Sequence, residues 1–242
     1  ELSAQTPLSP ETLWSLGKVS GLGISKDKQQ VLFSVNFPDV EANKGNVKTF
    51  RIGINGGNAE LVTNPDIFLT NTKLSPDGKW LLSSDAVKIK PVFGTDFYPT
   101  LTKSNVQIYE SLNYRHWDTW EDGKFDHVFL NNLVEGKPGQ GLDLMKGEPF
   151  DCPTKPFGGD DDYVWNPDGK HLVYVTKKSY GTAYAVSTNT DLYEYEISTG
   201  TTKNLTESNK GYDIAPAYNA KGELAWLQMK RDGFEADKQD LI

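Results

Sequence analysis

The chain has 242 residues, 33 of them acidic and 25 basic, for a net charge of −8 and a hydrophobic content of 37%. That length and composition suit a globular protein with a sizeable core; the acidic balance argues against nucleic acid as a partner. No apolar run approaches the ~20 residues of a membrane-spanning helix, and the lone Cys152 excludes an internal disulfide framework.

The chain opens Glu1-Leu2-Ser3-Ala4-Gln5-Thr6-Pro7 without an initiator Met. This reads as an end left by signal-peptide removal or by trimming of a longer chain, and the first of these predicts a periplasmic or secreted protein. Residues 7–16 are predicted as a short helix with Ser9 as N-cap, Pro10 at the first helical position, and Leu13 and Leu16 facing in. Strands follow near 19–25, 30–37, 47–54 and 59–63. A second group starts near Phe68, with strands at 79–87 and 125–130. Between these two strands lies an insertion over roughly 88–120, in which Val106, Tyr109 and Leu112 recur at three-residue steps and predict an amphipathic helix over 103–113. Residues 136–141, Gly-Lys-Pro-Gly-Gln-Gly, read as a loop. A third group holds strands at 172–176 and 192–197, and a fourth starts near Ile214 with a strand at 224–229.

A turn followed by a strand recurs through these groups. Its copies are Ser25-Lys26-Asp27-Lys28, Ser75-Pro76-Asp77-Gly78, Asn166-Pro167-Asp168-Gly169 and the worn Asn219-Ala220-Lys221-Gly222. Pro presets φ, Asp caps the turn with its own side chain, and Gly takes the φ > 0 position. A second landmark keeps step with the first: residues 54–63 align without gaps on 197–206, each a hairpin turning at glycine. Repeats of this spacing predict an all-β fold. The expected architecture is a partial β-propeller of about three four-stranded blades and part of a fourth, with a helical insertion in blade two. A lead-in covers 1–18, and the blades cover 19–63, 68–153, 160–206 and 213–242. A chain ending in mid-blade is expected to be poorly stable or to associate with copies of itself through open strand edges.

The chemistry-bearing motifs are few. No Gly-x-Ser-x-Gly nucleophile elbow is present; Gly17-Lys18-Val19-Ser20-Gly21 sets its Ser one place late, on a strand. Gly21-Leu22-Gly23 lacks the third glycine and the following helix of a phosphate loop, and no cofactor is expected. The densest polar cluster is Arg115-His116-Trp117-Asp118-Thr119-Trp120-Glu121-Asp122. Arg115, His116 and Asp118 are the candidate substrate-binding residues. The competing reading has them tie the insertion to its blade while Trp117 and Trp120 pack, because adjacent strand residues point to opposite faces. Asp160-Asp161-Asp162 are read as a solvated blade edge rather than a Ca²⁺ site. His127 and His171 show no zinc spacing and are read as structural. Asn204-Leu205-Thr206 fits a glycosylation sequon, but it falls on the second landmark. Glu194 and Glu196 alternate with Tyr195 and are read as a solvated face.

The Ser/Asn-Pro-Asp-Gly-Lys turns resemble those of the N-terminal propeller of prolyl-oligopeptidase-family serine peptidases, and of TolB. The segment from Ile108 to Lys124 carries Arg115-His116-Trp117-Asp118, Trp120 and Asp122-Gly123-Lys124. It resembles the "Arg-His-Trp-Asp, x, Trp, x, Asp-Gly-Lys" segment of the dipeptidyl-peptidase and acylaminoacyl-peptidase branch. The resemblance implies a larger protein in which a C-terminal α/β-hydrolase domain carries the catalytic Ser, Asp and His. Short peptides are then the substrates, and the propeller gates their access. No catalytic residue and no counterpart of the paired amine-binding glutamates transfers to this chain. A stand-alone TolB-like propeller that binds other proteins is the alternative. A third reading, a sugar- or metal-binding propeller enzyme, needs convergent acids that the sequence does not place.

Overall fold

The computed structural model describes residues 8–242; the expectation for the chain's opening residues lies outside the described residues. The chain divides into two compact units, residues 1–71 and 72–242.

In the first unit, α1 (Pro10–Ser15) begins as its sequence dictates, with Ser9 Oγ accepting from the Thr12 amide at 3.2 Å. Its leucines do not face in, however. Leu13 and Leu16 are 50% and 51% exposed, and a helix of six residues has no second turn with which to bury them. Four strands then form an antiparallel meander: β1 (Lys18–Ile24), β2 (Gln30–Asp39), β3 (Lys44–Gly53) and β4 (Glu60–Val62).

In the second unit, β5 (Trp80–Lys88) is followed by the insertion. The insertion holds α2 (Gly94–Phe97) and a small hairpin of β6 (Arg115–His116) and β7 (Thr119–Trp120). The chain then returns as β8 (Lys124–Val134), which pairs with β5 and with β9 (Lys137–Asp143). Next come β10 (Tyr163–Trp165), β11 (His171–Thr176), the short α3 (Thr182–Val186), β12 (Asp191–Glu196) and β13 (Thr201–Asn204), a second four-stranded meander. Last are β14 (Asp213–Tyr218), β15 (Leu224–Gln228) and β16 (Asp240–Leu241). The fold is all-β, in antiparallel sheets, with few and short helices.

The repeated turn explains why strands start where they do. In the second copy, Ser75 Oγ donates to Asp77 Oδ1 at 2.7 Å and accepts from the Trp80 amide at 2.9 Å, while Asp77 accepts from the Lys79 amide at 3.1 Å. The first copy repeats each contact, with Ser25 to Asp27 at 2.5 Å and Gln30 to Ser25 at 3.0 Å. Gly78 and Gly169 sit at φ 71° and 66°, and Lys28 takes the same conformation at 59°. The second landmark is equally literal. Arg51 pairs with Glu60 across β3 and β4, and 143 residues on, Glu194 pairs with Lys203 across β12 and β13. The register is the same and the charges are exchanged.

The core lies in the second unit. Side chains alternate across β11 and β12. Leu172, Tyr174, Tyr193 and Tyr195 face one way and pack with Leu82, Val128, Leu130, Met145 and Cys152. Val173, Val175 and Leu192 face the other way, onto Ile214, Leu224 and Trp226. His127 is fully buried, with Nδ1 at 3.0 Å from both Asp143 carboxylate oxygens and Nε2 at 2.9 Å from the Glu148 carbonyl. Its role is to lock β8 to the segment after β9.

Three further expectations fail. The segment 103–113 is not a helix. Its backbone pairs with 92–94 instead, the Gly94 amide donating to the Val106 carbonyl and the Ile108 amide to the Val92 carbonyl, both at 2.8 Å. The three-residue spacing was an accident of an extended segment, and the insertion's only helical turn among the described residues is α2. Residues 136–141 are mostly strand, not loop: Glu135 and Gly136 take φ 52° and 74°, a two-residue primed turn that seats β9 on β8. Glu in the first turn position hid it. Asp162 is not solvated: it is 4% exposed and accepts from the Thr154 amide and hydroxyl, both at 2.8 Å. Burial pushes its carboxyl above the usual range.

Candidate functional site

The insertion departs from β5 and returns to β8 beside Gly123. Ile89 and Lys90 both donate to the Gly123 carbonyl, at 2.9 and 3.1 Å. Gly123 has φ 81°, and a Cβ there would lie 2.1 Å from the Lys90 carbonyl oxygen. Only glycine fits, which is why Asp122-Gly123-Lys124 stands at this point. Asp96 fixes the outgoing strand by accepting from the Val92 and Phe93 amides at 2.8 and 2.9 Å and pairing with Lys88 at 2.9 Å. These bonds, the backbone amide of Val92 foremost, hold its carboxyl down to about 2.

Above this neck three aromatic rings pack together. The Tyr109–Tyr114 centroids are 5.6 Å apart, and both rings lie 6.0 Å from Trp120, nearly parallel to it at 27° and 24°. The Tyr109 hydroxyl donates to the Glu121 carbonyl at 2.7 Å, and the Glu121 amide donates to the Tyr114 carbonyl at 3.0 Å. Two open clefts, of about 510 and 450 Å³, run along this stack and share Leu112, Tyr114 and Trp120. Glu110 lines one and Arg115 the other.

Of the three residues the sequence singled out, only Arg115 reaches this groove. Its Nε donates to the Trp117 carbonyl at 2.5 Å, and its guanidinium lies 5.4 Å from the Trp120 ring. His116 meets Trp117 edge-on at 5.1 Å, and Asp118 is exposed at the hairpin tip; neither lines the clefts. Trp117 has φ 50° and, 67% exposed, meets the equally open Phe157 at 5.6 Å. The residues sequence reasoning missed are Tyr114 and Glu110. Their signal was the density of aromatics from Tyr109 to Trp120, which the helical reading of 103–113 masked.

Beneath the hairpin lies a pocket of charge. Lys155 pairs with Asp151 at 2.8 Å and Asp126 at 3.3 Å. Burial alone would lower Lys155, but these two carboxylates hold it above its ordinary value. Burial, then the Asp151 charge, pushes Glu121 up. Among the described residues no group of three or more His, Cys, Asp or Glu is placed to hold a metal ion, and no helix is long and apolar enough to cross a membrane. Other candidates are spoken for. Asn204 accepts from the Thr206 amide at 2.9 Å, and Glu196 accepts from Ser198 and Thr199 in its own turn; Glu194 and Glu196 are both half-buried, not the solvated face the alternation predicts.

The chain is 31% identical to dipeptidyl-peptidase 5 of Porphyromonas gingivalis over 97% of its length. It is 30% identical to that of Porphyromonas endodontalis over 98%. This chain is a relative of the dipeptidyl-peptidase 5 proteins. It spans only 41% and 40% of the length of these two relatives. Among solved structures, an acylaminoacyl peptidase bound to Z-Gly-Gly-Phe-chloromethyl ketone superposes with a TM-score of 0.59 over 96% of this chain and 39% of that one, at 10% identity. That likeness is one of fold. No family model matches. The resemblance carried by the insertion segment and the repeated turns is borne out.

Proposed function

We propose that this chain is the non-catalytic propeller portion of an exported serine exopeptidase, gating the access of short peptides to a C-terminal α/β-hydrolase domain. The observation that carries the reading is the match to dipeptidyl-peptidase 5 over nearly all of this chain but only two-fifths of the relative. The absence of a nucleophile elbow from these 242 residues is consistent with it. In this reading the sheets β1–β4, β5–β8–β9, β10–β13 and β14–β16 are successive blades, and the insertion emerges at a blade end, where loops carry function. Arg115 or Asp118 then lies at the face toward the hydrolase, and the protein works in the periplasm or outside the cell.

The test is the full reading frame that holds this chain. It should contain a Gly-x-Ser-x-Gly elbow and release dipeptides or acylated amino acids from chromogenic substrates, while residues 1–242 alone turn over neither. Arg115→Ala should raise KM and leave the melting temperature in place. A reading frame without a hydrolase domain sinks the proposal in favour of a free-standing binding propeller.

A further inference from the structure

The geometry points to the aromatic groove of the insertion as a binding site for a short peptide, with an aromatic side chain stacked on Tyr114 and Trp120 and the peptide's free carboxylate held by Arg115. The inference takes the nature of the ligand from the peptidase reading above and adds where it binds and which chemical groups it must carry.

Three features carry it. The first is the stack itself: Trp120 and Tyr114 are 46% and 41% exposed although each packs against the other. Stacked rings that keep this much of their area open leave an apolar face that another aromatic ring covers. The second is Arg115. Its Nε is committed to the Trp117 carbonyl, and the guanidinium lies against the Trp120 ring. Both terminal nitrogens are left without a protein partner among the described residues. A guanidinium held in place with its fork open is the geometry that takes a carboxylate through two parallel hydrogen bonds. The third is charge. Glu110 lines the far cleft, where no hydrogen bond or ion pair to its carboxylate is recorded among the described residues. A cation at one end and an anion at the other, with aromatic rings between, complement a zwitterion with an aromatic side chain. Glu110, together with the net charge of −8, disfavours a phosphate-bearing ligand.

The groove is also held ready. The Tyr109–Glu121–Tyr114 hydrogen bonds tie the stack to the neck at Gly123, so little side-chain freedom remains to be lost on binding.

The test is calorimetric titration of the 242-residue chain with Gly-Gly-Phe, its C-terminal amide and Gly-Gly-Ala. The free acid should bind saturably, and the amide at least about tenfold more weakly, the size expected for loss of a charge-assisted pair. Gly-Gly-Ala should be weaker again than Gly-Gly-Phe. Arg115→Gln should bring acid and amide to the same affinity; Trp120→Ala should erase the preference for Phe over Ala. Arg115 is exposed, so its variant tests the site even if loss of Trp120 disturbs the hairpin. Equal affinity for acid and amide, an unaltered acid preference in Arg115→Gln, or binding of a neutral oligosaccharide in place of the peptides overturns the proposal. The two readings fail separately. A full-length enzyme that cleaves peptides while this groove ignores them retains the peptidase reading and loses the site. A groove that binds Gly-Gly-Phe within a protein that hydrolyses no peptide does the reverse.

Discussion

The sheet β1–β4 and the sheet β10–β13 are built from the same instructions and end in different surroundings. Both are four-stranded meanders whose first two strands are joined by the same kind of capped turn, and their last hairpins share one register with Arg51–Glu60 and Glu194–Lys203 in matching places. Yet β1 is exposed at every position, while β11 is buried at all but its first. In the first sheet only Leu32 and Val35 are buried hydrophobics; the second has a core on each face. The strands are therefore not made by burial. Turn chemistry and backbone pairing suffice to form them, and burial is added by whatever lies above and below.

The largest effect that tests this contrast is in the double-sided core. Tyr174→Ala removes a fully buried ring stacked on Tyr193 at 5.7 Å and should cost about 3–5 kcal/mol in chemical denaturation. A loss below about 1 kcal/mol would show that the two-layer packing contributes little. Asp213→Ala comes next. This buried carboxylate accepts from Trp226 Nε1 at 2.7 Å, Gln228 Nε2 at 2.8 Å and Asn209 Nδ2 at 2.9 Å. Stranding those donors should cost about 2–3 kcal/mol.

The turns should behave alike in both units, whatever their surroundings. Ser25→Ala and Ser75→Ala each delete a buried hydroxyl that donates to the turn's Asp and accepts from the amide five positions on, and each should cost about 1–2 kcal/mol. A difference between them larger than the cost itself would mean that the turn is not an independent unit. By contrast, Val19→Ser in the exposed β1, where the side chain is 67% open, should move stability by no more than about 0.5 kcal/mol.

The smallest effect is a pH dependence peculiar to the third turn. Its His171 Nδ1 lies 2.6 Å from Asp168, a partner that the equivalent Gln30, Trp80 and Leu224 cannot reproduce. The Asp168 hydrogen bond raises His171 above the ordinary histidine value of 6.5. A cation favoured in the folded state adds stability that is complete below the unfolded pKa and lost as pH rises through the folded one. The melting temperature should therefore fall slightly on going up from pH 6.5, and His171→Gln should flatten that slope; an unchanged slope would assign it elsewhere.

The sequence by itself determined the elements whose bonds close within a few residues. Ser75, Asp77 and Gly78 specify their turn because the hydroxyl, the carboxylate and the amides they satisfy lie within five positions of one another. For the same reason the gapless match of 54–63 to 197–206 returned as an identical register. Only the tertiary structure decided what depends on distant partners. Asp162 looked solvated until Thr154 was folded against it, and Leu13 looked buried but is half exposed. Residues 103–113 took an extended path because 92–94 offered the hydrogen-bond partners that a three-residue apolar spacing cannot reveal. The groove belongs to this second kind. Tyr109, Tyr114 and Trp120 are visible in the sequence as aromatics, but their stacking, and the fact that Arg115 rather than His116 or Asp118 lines a cleft, follow from a hairpin whose neck closes at Gly123.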